Sequence, residues 1–162
     1  MESAANSSRG GVVQEIGNRT MYIISTSGRP SSMLRYRNLL QKICKLDIAY
    51  LPIHDGKDGP IDPKKYANIL RSLPCIGGAI SKDIKQTIIP YLDELDESAK
   101  LVNSVNTVIV IRNGDGGENL KGYNTDSLGF EAAIVQGTQK STNVIVKRAV
   151  CYGYGGINHL II

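Results

Sequence analysis

Val105-Asn106-Thr107-Val108-Ile109-Val110-Ile111-Arg112, then the turn Asn113-Gly114-Asp115-Gly116-Gly117, then Leu120-Lys121-Gly122-Tyr123-Asn124-Thr125-Asp126 is the stretch whose reading decides the fold. A β-branched run, glycine-rich turn chemistry and a second short run predict a hairpin. Asp126 then opens a helix through Leu128, Phe130, Ala133 and Ile134. Strands joined to helices, with no internal repeat, point to an α/β domain.

Working upstream, Met21 to Ser25 is a first strand, ended by Gly28 and Pro30. Ser31 or Ser32 can cap the helix after it, with Met33, Tyr36, Leu40 and Ile43 recurring on one buried face. Ile48 to Ile53 is a second strand, and Pro52 puts it near an edge or a bulge. Asp62-Pro63 offers an N-cap with proline at the first helical position, opening a helix through Tyr66, Ile69, Leu70 and Leu73. Cys75 to Ile80 is a third strand, in which Gly77 and Gly78 signal close backbone approach or a bulge. Asp83 to Leu92 reads as a helix kinked or split at Pro90, followed by a second helical piece from Glu97 to Val102. Downstream, 137–143 has linker composition and Val144 to Tyr152 is a last strand leading to Gly153-Tyr154-Gly155-Gly156. The expected architecture is an open, mostly parallel, three-layer α/β/α sheet.

Composition bounds what this fold can do. A chain of 162 residues has room for one domain of ordinary size. With 41% hydrophobic and 21% charged residues it has the balance of a globular protein, and no apolar run approaches the ~18 residues of a membrane span. The formal charge of +4 is modest, and Arg29, Arg35, Arg37, Lys42 and Lys45 are scattered around one helix, so a solvated face is expected rather than a nucleic-acid patch. Cys44, Cys75 and Cys151 are odd in number and include no CxxC pair, which suggests neither a disulfide framework nor a zinc site. A reducing compartment fits, with the cytoplasm expected and a plastid the alternative. Residues 1–19, rich in Ser, Gly and Ala and without an apolar core for secretion, read as a disordered tail.

The order of these segments resembles the shikimate dehydrogenases, which reduce 3-dehydroshikimate to shikimate with NADPH on the route to aromatic amino acids. Val105-Asn106-Thr107-Val108 and Lys121 to Asp126 carry the resemblance, with the Gly153-x-Gly155-Gly156 turn after them. In that family a substrate domain comes first and a dinucleotide-binding domain follows. The resemblance implies a substrate-binding domain over 20–136 and the start of an NADP-binding, Rossmann-type domain over 144–162, incomplete as the sequence stands. Counting back from Val105 without gaps puts Ala79-Ile80-Ser81-Lys82-Asp83-Ile84-Lys85 on the family's N-V-T-x-P-x-K. Lys85 falls on the catalytic lysine and Asp126 on its acidic partner. Ser81 keeps the threonine's hydroxyl, whereas Ala79 replaces an asparagine and Asp83 a proline. Asn106 matches unchanged. The family's S-x-S-P-x-x-H-N, which holds the substrate carboxylate, falls on Ser31 to Asn38, where only Ser31 and Asn38 survive; a one-residue gap brings Ser32 into play.

The resemblance therefore implies catalysis by Lys85 and Asp126, substrate binding by Ser31, Ser81 and Asn106, and NADP binding by Gly153, Gly155 and Gly156. An ammonium beside a carboxylate can protonate a ketone oxygen and stabilise the developing alkoxide. Each residue also has an ordinary structural reading: Lys85 as a solvated helix lysine, Asp126 as a first-turn acid, Asn106 as the polar start of a strand. Three functions from different classes follow. One is a shikimate dehydrogenase, inactive as this chain stands because the second strand and helix of the cofactor domain are missing. Another is a non-catalytic protein that binds shikimate or quinate. The third is a quinate dehydrogenase or a methylene-tetrahydrofolate dehydrogenase of similar build, the Asn-Thr-Asp phrase speaking against the folate enzyme. Self-association through an exposed strand, Val144 to Val150, is expected as well.

Overall fold

A computed structural model of the chain describes residues 21–26, 30–53, 60–81, 83–114 and 116–139, with the backbone only at 30–33 and 139. Among the described residues six strands form one sheet: β1 (Met21–Ser25), β2 (Ile48–Pro52), β3 (Cys75–Ala79), β4 (Glu94–Leu95), β5 (Thr107–Arg112) and β6 (Glu118–Tyr123). Their order across the sheet is β2-β1-β3-β5-β6-β4. β1 is parallel to β2 and to β3, and β4 is parallel to β6. β5 is antiparallel to both of its neighbours, so it alone runs against the other five. The expected α/β class and mostly parallel sheet are both observed.

Among the described residues four α-helices accompany the sheet: α1 (Pro30–Asn38), α2 (Pro63–Ser72), α3 (Glu97–Val102) and α4 (Asp126–Gln139). α2 starts as its sequence dictates. Pro63 occupies the first turn and the Asp62 side chain accepts from the Lys65 N–H at 2.7 Å, a cap worth about 1 kcal/mol. Its inward residues Tyr66, Ala67 and Leu70 are buried and enter the main core with Ile24, Ile88 and Leu120. Each large apolar side chain so buried contributes about 1.5–3 kcal/mol. The Tyr66 hydroxyl donates to the Ile24 carbonyl at 2.7 Å, and burial pushes its pKa well above the usual phenol value.

The β3 glycines are needed because neighbours leave no room for a side chain. A Cβ at Gly77 would stand 2.2 Å from the Val108 carbonyl oxygen, and one at Gly78 would stand 2.2 Å from the Tyr66 hydroxyl. The register between β1 and β3 also slips around Ile76, so close approach and a bulge occur together. Arg112 crosses back to the start of β3, donating to the carbonyls of Cys75 at 2.7 Å and Leu73 at 2.6 Å.

Three expectations are corrected. α1 passes at Asn38 into a π-turn, Leu39–Ile43, and its expected buried face is not buried: Tyr36 is 47% exposed and Ile43 72%. Tyr36 instead stacks on Tyr50 of β2, with 5.4 Å between ring centroids. Residues 83–92 make no α-helix but successive turns and a 3₁₀ segment, Ile89–Tyr91, because Pro90 has no N–H to continue an α-helical ladder. α4 runs on to Gln139, through the start of the expected linker, with Leu128 65% and Ile134 49% exposed. β4, two residues long, was not expected at all. The strand predicted from Val144 and the glycine turn after it lie outside the described residues.

Candidate functional site

Reversal of β5 assembles the site. The carboxyl ends of β1, β3 and β6 and the amino end of β5 all meet at one edge of the sheet. Open α/β sheets bind ligands outside their strands' carboxyl ends. Here a pocket of about 710 Å³ lies along one face of the sheet and reaches this edge. Thr26, Ser81, Lys85, Asn106, Thr125 and Asp126 line its polar end. Its other end is apolar, with Ile23, Tyr50, Gly77 and Ile109 in one row across β1, β2, β3 and β5, and Leu39 and Leu40 facing them.

Two of the predicted residues are in direct contact. Lys85 Nζ lies 2.5 Å from Asp126 Oδ2, with side chains 23% and 33% exposed. The two come from distant segments held by separate frameworks. The Lys85 carbonyl accepts from the Val105 N–H at 2.8 Å, tying the 83–88 turns to the approach of β5. Asp126, the first residue of α4, donates its N–H to Asn124 Oδ1 at 3.0 Å. Asn124 is buried and fixed in turn: its Nδ2 donates to the Ser104 carbonyl at 2.9 Å and its N–H to Ser98 Oγ at 3.1 Å.

Asn106 and Ser81 also lie at the polar end. Asn106 Oδ1 accepts from the Thr125 N–H at 3.0 Å and from Thr107 Oγ1 at 2.9 Å, while its Nδ2 donates to Thr125 Oγ1 at 3.0 Å. Its amide therefore holds the residue next to Asp126. Ser81 donates its N–H to Thr26 Oγ1 at 2.7 Å and accepts from that hydroxyl at 3.1 Å. A hydroxyl has one donor and two acceptor sites, so Ser81 Oγ keeps its own proton to offer. At the apolar end, burial raises the Tyr50 pKa, opposed by a bond from Ser25 and aided by Tyr36. Cys75 is no nucleophile: it is buried, its thiol donates to the Leu70 carbonyl at 3.3 Å, and burial pushes its pKa up despite Arg112 nearby.

Of the predicted residues, Lys85, Asp126, Ser81 and Asn106 share this pocket. Ser31 falls on the amino-terminal half of α1, with its side chain outside the described set, and Asn38 ends that helix. Gly153, Gly155 and Gly156 lie outside the described residues. Sequence reasoning missed Thr26 and Thr125, although their positions at the carboxyl ends of strands were a usable signal. It also missed Asn124 as the group that orients Asp126. No helix among the described residues is long and apolar enough to cross a membrane.

No family model matches the chain. A shikimate dehydrogenase (NADP(+)) of Methanosphaera stadtmanae is 33% identical over 124 residues, which are 76% of this chain and 40% of that protein. The crystal structure of a shikimate dehydrogenase in complex with NADP+ matches 89% of this chain and 47% of its own, with a TM-score of 0.68 and 27% identity. A shikimate 5-dehydrogenase from Listeria monocytogenes, in complex with shikimate and NAD, matches 73% of this chain and 38% of its own, with a TM-score of 0.55 and 30% identity. The chain thus spans less than half the length of the curated relatives and solved structures it matches.

Proposed function

We propose, from the premise that this chain belongs to the shikimate dehydrogenase family, that its pocket binds shikimate and 3-dehydroshikimate and serves the NADPH-dependent reduction of the ketone. The observation that carries the reading is the Lys85–Asp126 contact of 2.5 Å inside a pocket that also holds Ser81 and Asn106. In this mechanism the Lys85 ammonium stabilises the negative charge as it develops on the ketone oxygen and passes its proton to that oxygen, becoming a neutral amine. Asp126 aims the ammonium. Ser81 donates to a ring hydroxyl, and Asn106 acts by keeping Thr125, and so Asp126, in place. NADPH, when bound, supplies the hydride. Its assigned glycines, Gly153, Gly155 and Gly156, lie outside the described residues, so the mechanism is derived on the substrate side alone.

The domain division belongs to the same proposal: a substrate domain over 20–136 and the opening of a cofactor domain over 144–162. Calorimetric titration of the purified chain with shikimate and NADPH in separate experiments tests it. Saturable shikimate binding is expected, with NADPH weak or silent. Absence of shikimate binding would overturn the substrate assignment. Tight NADPH binding would instead show a working cofactor site and remove the reason for assigning this chain to the substrate side alone.

A further inference from the structure

The frameworks that hold Lys85 and Asp126 share one peptide group. The peptide between Ser104 and Val105 gives its N–H to the Lys85 carbonyl at 2.8 Å and offers its carbonyl to Asn124 Nδ2 at 2.9 Å. Asn124 Oδ1 in turn accepts from the Asp126 N–H at 3.0 Å, and the Lys85–Asp126 contact of 2.5 Å closes the ring. A trans peptide is planar, with its N–H and C=O fixed in opposite directions, so the two sides of this ring move together. α3 delivers the peptide. Its C-cap, Asn103, is left-handed at φ 47°, a conformation asparagine tolerates better than most residues, and the chain passes straight into Ser104 and Val105, both buried. At the start of α3, Ser98 Oγ accepts from the Asn124 N–H at 3.1 Å and donates to Asp96 Oδ1 at 2.7 Å. Asn124 is thus pinned at its main chain by one end of α3 and at its side chain by the residues leaving the other.

We infer that Asn124 is a positioning residue for the Lys85–Asp126 pair, tying the carboxylate to the same peptide group that carries the lysine, with Ser98 anchoring Asn124 from α3. The inference rests on reading the pair as the proton-donating end of a shikimate pocket. Neither Asn124 nor Ser98 is among the described residues that line the pocket, so an effect of either on a bound ligand is indirect.

A double-mutant cycle on the 162-residue chain tests this, with shikimate affinity read by NMR titration and folding by the dispersion of the same spectra. Asn124→Ala is expected to weaken shikimate about tenfold, the worth of one hydrogen bond to a charged group, and to weaken it no further once Lys85→Ala has already removed the ammonium. Ser98→Ala leaves the bonds of the ring itself in place, gives the same pattern at about threefold, and replaces Asn124→Ala in the cycle should that variant fail to fold. An equal loss in both Lys85 backgrounds, or no loss in either, assigns Asn124 a purely structural part and overturns the inference while the shikimate reading stands. If the parent chain itself binds no shikimate, the substrate reading falls and takes this inference with it.

Discussion

Lys85 and Asp126 show how little a residue's local setting says about its use. In the sequence each has an ordinary place, a lysine after a strand and an acid at the start of a helix. Forty-one positions separate them, yet their side chains meet at 2.5 Å. A partly exposed ion pair of this kind contributes ~0–1 kcal/mol to folding. Proton transfer by a positioned acid, in contrast, is worth ~10²- to 10⁴-fold in rate. On the proposed mechanism, Lys85→Ala is therefore expected to cut by roughly 10²-fold or more the NADPH-dependent turnover of this chain once it is joined to a complete cofactor domain, while changing the chain's stability by no more than about 1 kcal/mol. Turnover assays paired with urea unfolding check this. A large loss of stability alongside the loss of rate would mark Lys85 as structural.

Among the elements, α2 and β3 were legible because strong local signals agree with their tertiary contacts. Asp62 and Pro63 start the helix in any context, and β3 is a short apolar run bounded by Pro74 and a polar turn. Gly78 joins the two elements. With its Cβ site 2.2 Å from the Tyr66 hydroxyl, Gly78→Ala must displace that ring and break its bond to Ile24. A destabilisation of about 2 kcal/mol or more is expected, from overpacking plus a buried hydroxyl left unpaired. Its measure is the urea midpoint, and an unchanged midpoint would show that α2 shifts freely over β3. The segment 83–92 was misread for a physical reason: its apolar spacing suits a helix, but Pro90 and the bond from the Val105 N–H to the Lys85 carbonyl favour turns. β4 could not be read at all, since two residues have no period and Glu94–Leu95 form a strand only by pairing with β6.

Across the whole molecule, one polar clamp joins the helical layer to the far edge of the sheet. Arg71 of α2 pairs with Asp93 at 2.8 Å and donates to the Glu118 carbonyl at 3.0 Å, while Asp93 accepts from the Leu120 N–H at 2.7 Å. Burial pushes the Asp93 carboxyl up, but the Leu120 N–H and the Arg71 guanidinium outweigh it and hold its pKa below the usual value. The folded form thus binds this proton less readily than the unfolded chain. The resulting stability is complete above the unfolded value of about 3.9 and is lost as pH falls through the folded value. Asp93→Asn is expected to cost under about 1 kcal/mol at neutral pH, given solvent screening, and to cost progressively less on acidification below about pH 4. Thermal melts at stepped pH check the sign, and a cost that grows towards acid would reverse it. At this scale the division between sequence and structure is plain. The sequence by itself determined the α/β class, most strands and the α2 start, and carried the resemblance to the shikimate dehydrogenases, because periodicity, caps and motif order are local or collinear properties. Only the tertiary structure decided that β5 runs against its neighbours, that Asn106 and Asn124 hold the Asp126 corner, and that Asp83 shares a pocket with Lys85. Strand direction and pocket membership arise from contacts between distant segments, and those are settled only when the chain closes on itself.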